Sequence, residues 1–170
     1  GRPLLQIARQ PSFLVAVLAG VVSYGLMNFV MTATPLHMHE TGFTLADTAW
    51  VIQSHIVAMY LPSLVTGFLV ERLGTLRIML AGALLMLACN LIAILGVDLL
   101  NYWTSLVLLG LGWNLLFVGG TVLLTTTYRP EERFKTQASN DFTIFMMQAV
   151  SSFSAGTALT SAGWININWF

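Results

Sequence analysis

Three polar side chains, His55, Asn114 and Gln148, stand inside long apolar runs, where a polar group is costly unless it meets a cavity or a partner. Each falls within about 5 Å of the middle of its run at a helical rise of 1.5 Å per residue. An imidazole can take up and release a proton near neutral pH, and a carboxamide can both donate and accept hydrogen bonds. Such groups suit the reversible holding of a small solute. Spacings of three, four or seven residues collect further polar side chains into stripes on the same runs. The first run offers Tyr24, Asn28 and Thr32; the second offers Thr48, His55, Met59, Ser63 and Thr66. The fourth offers Asn114, Thr121 and Thr125 beside the aromatic pair Trp113 and Phe117, which could stack on a flat solute. The fifth offers Asp141, Phe145, Gln148 and Ser152, whereas the third has only Cys89 and Asn90. A second reading stays open, since Asn and Gln also bond neighbouring membrane helices, at about 0.6 kcal/mol each. Trp113 and Phe117 could equally be packing or lipid-facing aromatics.

Other candidates carry less chemistry. His37-x-His39-Glu40 is a pair of histidines without the further ligands that a metal site needs. An intramembrane enzyme built on His37, His39, His55 or Asp98 would need acid–base groups at one depth, but three of these fall between runs and His55 falls mid-run. A non-transporting membrane scaffold is the remaining rival. Gly110-x-Gly112 and Gly119-Gly120 lie inside an apolar run, so they suit close helix packing and not phosphate binding. Cys89, alone in the chain, excludes an internal disulfide and reads as a small buried hydrophobe. No metal or cofactor is expected.

The composition says what must position these residues. Of 170 residues, 56% are hydrophobic and 8% are charged, with a mean hydropathy of +0.79. Soluble domains carry about 25% charged residues, so the outer solvent of this chain is expected to be lipid. Zero net charge with no basic block gives nucleic acid nothing to bind. Helices of roughly 20 residues cross a bilayer, and five runs qualify, at about 11–34, 45–70, 77–97, 102–127 and 130–160. Pro11 opens the first and Pro35 is expected to stop it. Thr44 and Asp47 read as a capping box for the second, and Pro62 predicts a kink within it. The fifth begins in polar turns, with its membrane part from about Phe142 to Thr160. From Trp164 the chain reads as the start of a sixth, truncated span. The fold class is an all-α, polytopic transmembrane bundle forming a single membrane domain, a fragment of a longer protein. Gly1 to Gln10 is a polar lead-in to a full-length run, so no cleavable signal is expected.

All seven basic residues fall on one side of this topology: Arg2 and Arg9, then Arg72 and Arg77, then Arg129, Arg133 and Lys135. The positive-inside rule assigns that side, and the amino terminus, to the cytoplasm of a cell membrane.

Between the second and third runs lies Gly67-x-x-x-Glu71-Arg72-x-Gly74-x-x-Arg77. With its place in the topology, this resembles the signature loop of the major facilitator superfamily of secondary transporters. The family pattern wants a base where Leu76 stands. The resemblance implies twelve spans in two halves that rock about a central solute site, with this loop latching the cytoplasmic side. Arg133 and Asp141 are candidate partners in that gate, Asp141 pairing with Arg133 or with Arg72 or Arg77. It implies a cavity lined by the first, second, fourth and fifth helices, hence by Tyr24, Asn28, His55, Trp113, Asn114, Phe117 and Gln148. Its partners would be the lipid bilayer, a small solute with a coupling proton, and an absent amino-terminal half. Features resembling the carboxy-terminal half are the lead-in Arg2 to Pro11, the loop Tyr128 to Lys135, and a fourth span with no arginine ahead of Gly110-x-Gly112. A fifth span lacking the Gly-Pro motif of antiporter amino-terminal halves fits as well.

Overall fold

The computed structural model describes residues 1–169; Phe170, the last residue of the expected sixth span, lies outside them. Its helices are α1 (Leu4–Ala8), α2 (Pro11–Glu40), α3 (Leu45–Tyr60), α4 (Ser63–Leu73), α5 (Thr75–Leu95), α6 (Leu99–Thr125) and α7 (Arg133–Ile167), with a 3-10 turn over Pro130–Glu132. Four helices are long and apolar enough to cross a membrane, and α3 with α4 makes a fifth span if counted as one broken helix.

The expected segments are present with shifted ends. α2 does not stop at Thr34 but runs through Pro35 to Glu40. Pro35 leaves the Met31 carbonyl, one turn back, without its helical donor, a loss that a membrane helix tolerates. Thr32 and Thr34 bond other carbonyls in the turns before it, those of Asn28 at 2.8 Å and Val30 at 2.7 Å. The capping box forms as read, with the Asp47 amide on Thr44 Oγ1 at 3.1 Å and the Thr44 amide on Asp47 Oδ2 at 3.0 Å. Pro62 does more than kink its span: α3 ends at Tyr60, α4 starts at Ser63, and the two are bent by 42°. Gly74 turns α4 into α5 at φ +91°, a conformation that favours glycine. Gly163, at φ +79°, breaks α7 ahead of Trp164, so the four residues to Ile167 are helical but set off from the run before them.

α6 is the centre of the bundle, packed against α2, α3 and α5, while α7 packs on α2. Close approach needs missing side chains. A Cβ on Gly110 would sit 2.7 Å from the His55 carbonyl and 3.0 Å from the Met59 amide, so α3 backbone lies directly on α6. A Cβ on Gly82 would reach the Gly112 carbonyl at 2.8 Å and the Leu116 amide at 2.6 Å, which fixes α5 on α6 in the same way. Away from these contacts Leu18, Leu64, Leu80, Leu84, Leu87 and Leu91 point outward, an apolar exterior that lipid can cover and water cannot. A groove of about 420 Å³ opens between α2, α5 and α7, lined by Val22, Gly25, Leu26, Asn90 and Ser151 among others.

Gly67 contrasts with Gly110, since a Cβ there meets nothing within 4 Å. Gly110→Ala should therefore lower bundle stability by about 1–3 kcal/mol through overpacking. Gly67→Ala should leave it unchanged or raise it by up to about 1 kcal/mol through helix propensity. Thermal unfolding of both variants in detergent checks the opposite signs.

Candidate functional site

The break in the second span is repaired from α6. Pro62 cannot donate to the turn before it, and the start of α4 at Ser63 leaves the Met59 carbonyl without its helical partner. Asn114 Nδ2 donates to that carbonyl at 2.7 Å and to Ser63 Oγ at 2.6 Å, while Asn114 Oδ1 accepts from Thr66 at 2.6 Å. Asn114 and Thr66 are fully buried. One carboxamide thus spans both sides of the bend and fastens them to the central helix. His55, one turn before Met59, is also sealed: Nδ1 lies 2.8 Å from the Leu106 carbonyl, and Nε2 is buried without a partner among the described residues.

A second polar contact joins the first and fifth spans. Asn28 Nδ2 donates to the Gln148 carbonyl at 2.9 Å and also to the Ser152 hydroxyl. Gln148 therefore meets Asn28 through its backbone, and its side chain remains half-buried. Tyr24, one turn before Asn28, faces rings from α6, standing edge-on to Trp113 at 5.2 Å and to Phe117 at 5.1 Å. Trp113 and Phe117 stack on each other at 5.0 Å with planes 17° apart. Tyr60, the last residue of α3, adds a fourth ring 5.9 Å from Trp113. Helical periodicity did not select Tyr60, because its partners come from other helices; its place beside Pro62 was the available signal.

The structure gathers the sequence candidates in two places. Tyr24, Trp113 and Phe117 form one cluster; Asn28 and Gln148 meet beside it; His55 and Asn114 lie in the α3–α6 contact. The residues expected to form a gate stay apart. Among the described residues the one ion pair is Arg2 to Glu132, so Glu71, Arg72, Arg77, Arg133 and Asp141 form none with one another. Arg72 instead lies over the Phe68 ring at 5.7 Å, Arg133 reaches Gln137 at 3.4 Å, and Asp141 accepts from Asn140 at 3.1 Å. His37 is bonded to the Tyr102 hydroxyl at 2.6 Å and stacked on Trp164 at 4.4 Å, an aromatic knot at the end of the bundle remote from the basic residues.

Spacing did not disclose the Arg2–Glu132 pair, which closes the basic end. The Glu132 carboxylate accepts from Arg2 Nη2 at 2.6 Å, from the Arg2 amide at 2.6 Å and from the Arg129 amide at 3.0 Å. Arg2 also reaches the Thr127 carbonyl at 3.0 Å, Gln10 bonds the same carbonyl at 2.9 Å, and Lys135 bonds the Arg2 carbonyl. The lead-in is thereby tied to the turn between α6 and α7, a polar turn ahead of the apolar part of α7.

A family model described as Major Facilitator Superfamily matches residues 16–170. The chain belongs to the major facilitator superfamily. Its helices are those of a multi-pass membrane protein, and the loop resemblance at Gly67 to Arg77 is thereby placed in its family. The riboflavin transporter RfnT of Brucella anthropi is 45% identical over 169 residues, covering 99% of this chain and 42% of that protein. Two Bacillus subtilis proteins named as uncharacterized MFS-type transporters, YdeG and YddS, are 35% and 33% identical, covering 87% and 89% of this chain. The chain spans 35% of the length of each of these two. No solved structure matches. Relatives named as transporters fit a transport role and not an enzymatic one.

Hydrogen bonds from Arg2, then from the Arg129 amide, hold the Glu132 carboxyl well below the usual carboxylate range. An acid lowered on folding stabilises the fold above its unfolded value, near pH 4.3, and ceases to do so as pH falls through its folded value. Protection factors over residues 1–10, taken relative to the intrinsic exchange rate at each pH, should therefore be high at neutral pH and fall on strong acidification. Glu132→Gln should show the low protection already at neutral pH.

Proposed function

We propose that the chain is the carboxy-terminal half of a secondary transporter that moves a small organic solute across a cell membrane by alternating access. The half would rock against an amino-terminal half about a site near the midplane. The basic residues would lie on the cytoplasmic side, together with the amino terminus of the chain. The observation that carries this reading is a half-open polar stripe on the first span, Tyr24, Asn28 and Thr32, flanked by α6 and α7 in a family of transporters. A polar stripe in a membrane helix needs a cavity or a partner. Tyr24, Asn28, Trp113, Phe117 and Gln148 would form the wall of that cavity, with His55 and Asn114 behind it. Glu71, Arg72 and Arg77, which make no ion pair among the described residues, would meet the other half as a cytoplasmic latch, with Arg133 and Asp141 at the same end. The relative named as a riboflavin transporter makes riboflavin the first solute to test.

The test is uptake by the full-length protein in proteoliposomes, with and without an imposed proton gradient. Saturable riboflavin uptake, or uptake of another small organic solute, that an ionophore abolishes is expected. A protein that moves no solute under either condition would overturn the reading.

We place the coupling proton at His55, whose Nε2 is buried with no partner among the described residues while Nδ1 is held by Leu106. His55→Asn keeps an amide donor toward Leu106 and removes the titrating nitrogen. It should flatten the pH dependence of uptake between about pH 5 and 8. Unchanged pH dependence in that variant would remove His55 from coupling.

A further inference from the structure

We infer that Tyr60, Tyr24, Trp113 and Phe117 form a subsite for a flat, fused-ring portion of the solute, with Tyr60 as its outer ring. The inference rests on the transporter reading above and deepens it by assigning a substrate class to one part of the cavity.

The four rings come from three helices and converge on Trp113, which is 3% exposed. Trp113 and Phe117 stack nearly parallel, and Tyr24 stands edge-on to both, at 81° and 87°. This arrangement fixes the orientation of each ring through its quadrupole. A rigid aromatic surface of this kind gives contact area at small entropic cost. Tyr60 differs from the other three. It is 60% exposed, meets Trp113 at 70°, and is carried by the last residue of α3 immediately before the break. A large half-amphipathic ring left open beside a packed cluster offers a face on which a planar group can lie.

Two further observations point to a ligand. Trp113 Nε1 is buried with no acceptor among the described residues, which is uncommon for an indole N–H in a packed core. One turn after Tyr24 lies Asn28, bonded to the backbone carbonyl of Gln148, whose half-buried amide, like that of Asn28, suits the polar edge of a heterocycle. Stacking supplies most of the affinity for a ring, and the amides and the indole N–H supply its orientation. Asp141, almost two turns before Gln148 on α7, is close enough for its charge to reach Tyr24 and borders the wall on one side.

The experiment uses the full-length protein in lipid nanodiscs with riboflavin as the probe, because stacking on Trp or Tyr quenches flavin fluorescence. Saturable quenching is expected. Tyr60→Leu, at an exposed position where folding is not at risk, should weaken riboflavin binding about tenfold, within the range of one aromatic stacking contact. Tyr60→Phe, which keeps the ring, should retain affinity within about twofold. Equal affinity of the Leu variant and the parent protein would overturn the subsite. So would saturable transport of a non-aromatic solute by a protein that does not bind riboflavin, and that outcome would leave the transporter reading standing. Absence of any solute transport would instead sink the transporter reading itself.

Discussion

The bundle depends on how closely the backbone of α6 can be approached. Gly110 admits the backbone of α3, and Gly112, facing Gly82, admits that of α5. In lipid no hydrophobic force drives helices together, so contact at this range, with its dense van der Waals packing, has to do that work. Once α3 and α5 are seated on α6, the polar groups fall into place around them. His55 reaches the Leu106 carbonyl, Ser105 reaches the Cys89 carbonyl at 3.1 Å, and Asn114 reaches both sides of the Pro62 break. A larger residue at Gly110 would thus loosen the hydrogen bonds as well as the packing.

The broken second span shows how a costly feature is kept. A proline and an interrupted helix free backbone carbonyls inside an apolar region, which lipid cannot satisfy. Asn114 from α6 takes over part of that duty, so the bend is held by a neighbouring helix and not by its own backbone. The arrangement also places Tyr60 at the lip of the break, turned toward Trp113. The same local irregularity accounts for one buried polar residue and one exposed aromatic one.

Local features could be read from the residues in advance. The apolar runs, the Thr44–Asp47 box and the Pro62 interruption each depend on neighbours within a few positions, and each is present in the structure. Pro35 was misleading because the helix runs on through it to Glu40, a loss of one backbone bond that membrane helices tolerate. Pairings between distant positions were hidden. Nothing in spacing links Arg2 to Glu132 or Tyr24 to Trp113, since those contacts exist only after the helices have packed. Asn28 and Gln148 were both visible as polar candidates, but their link runs through a backbone carbonyl that no side-chain pattern reveals. Family membership was carried by a loop motif whose spacing is unusual enough to survive a missing base at Leu76.

The Arg2–Glu132 knot bears on where the chain can be cut. Glu132 sits with its carboxylate shut away from solvent, and Arg2, which neutralises it, precedes the first long helix. A cut placed between Arg2 and Pro11 would look harmless in a hydropathy plot, because no apolar residue of a span is lost. It would nevertheless strand a charged group in the turn between α6 and α7. Pieces meant to be produced separately and recombined should therefore keep the short α1 segment and the residues before it with the helices that follow.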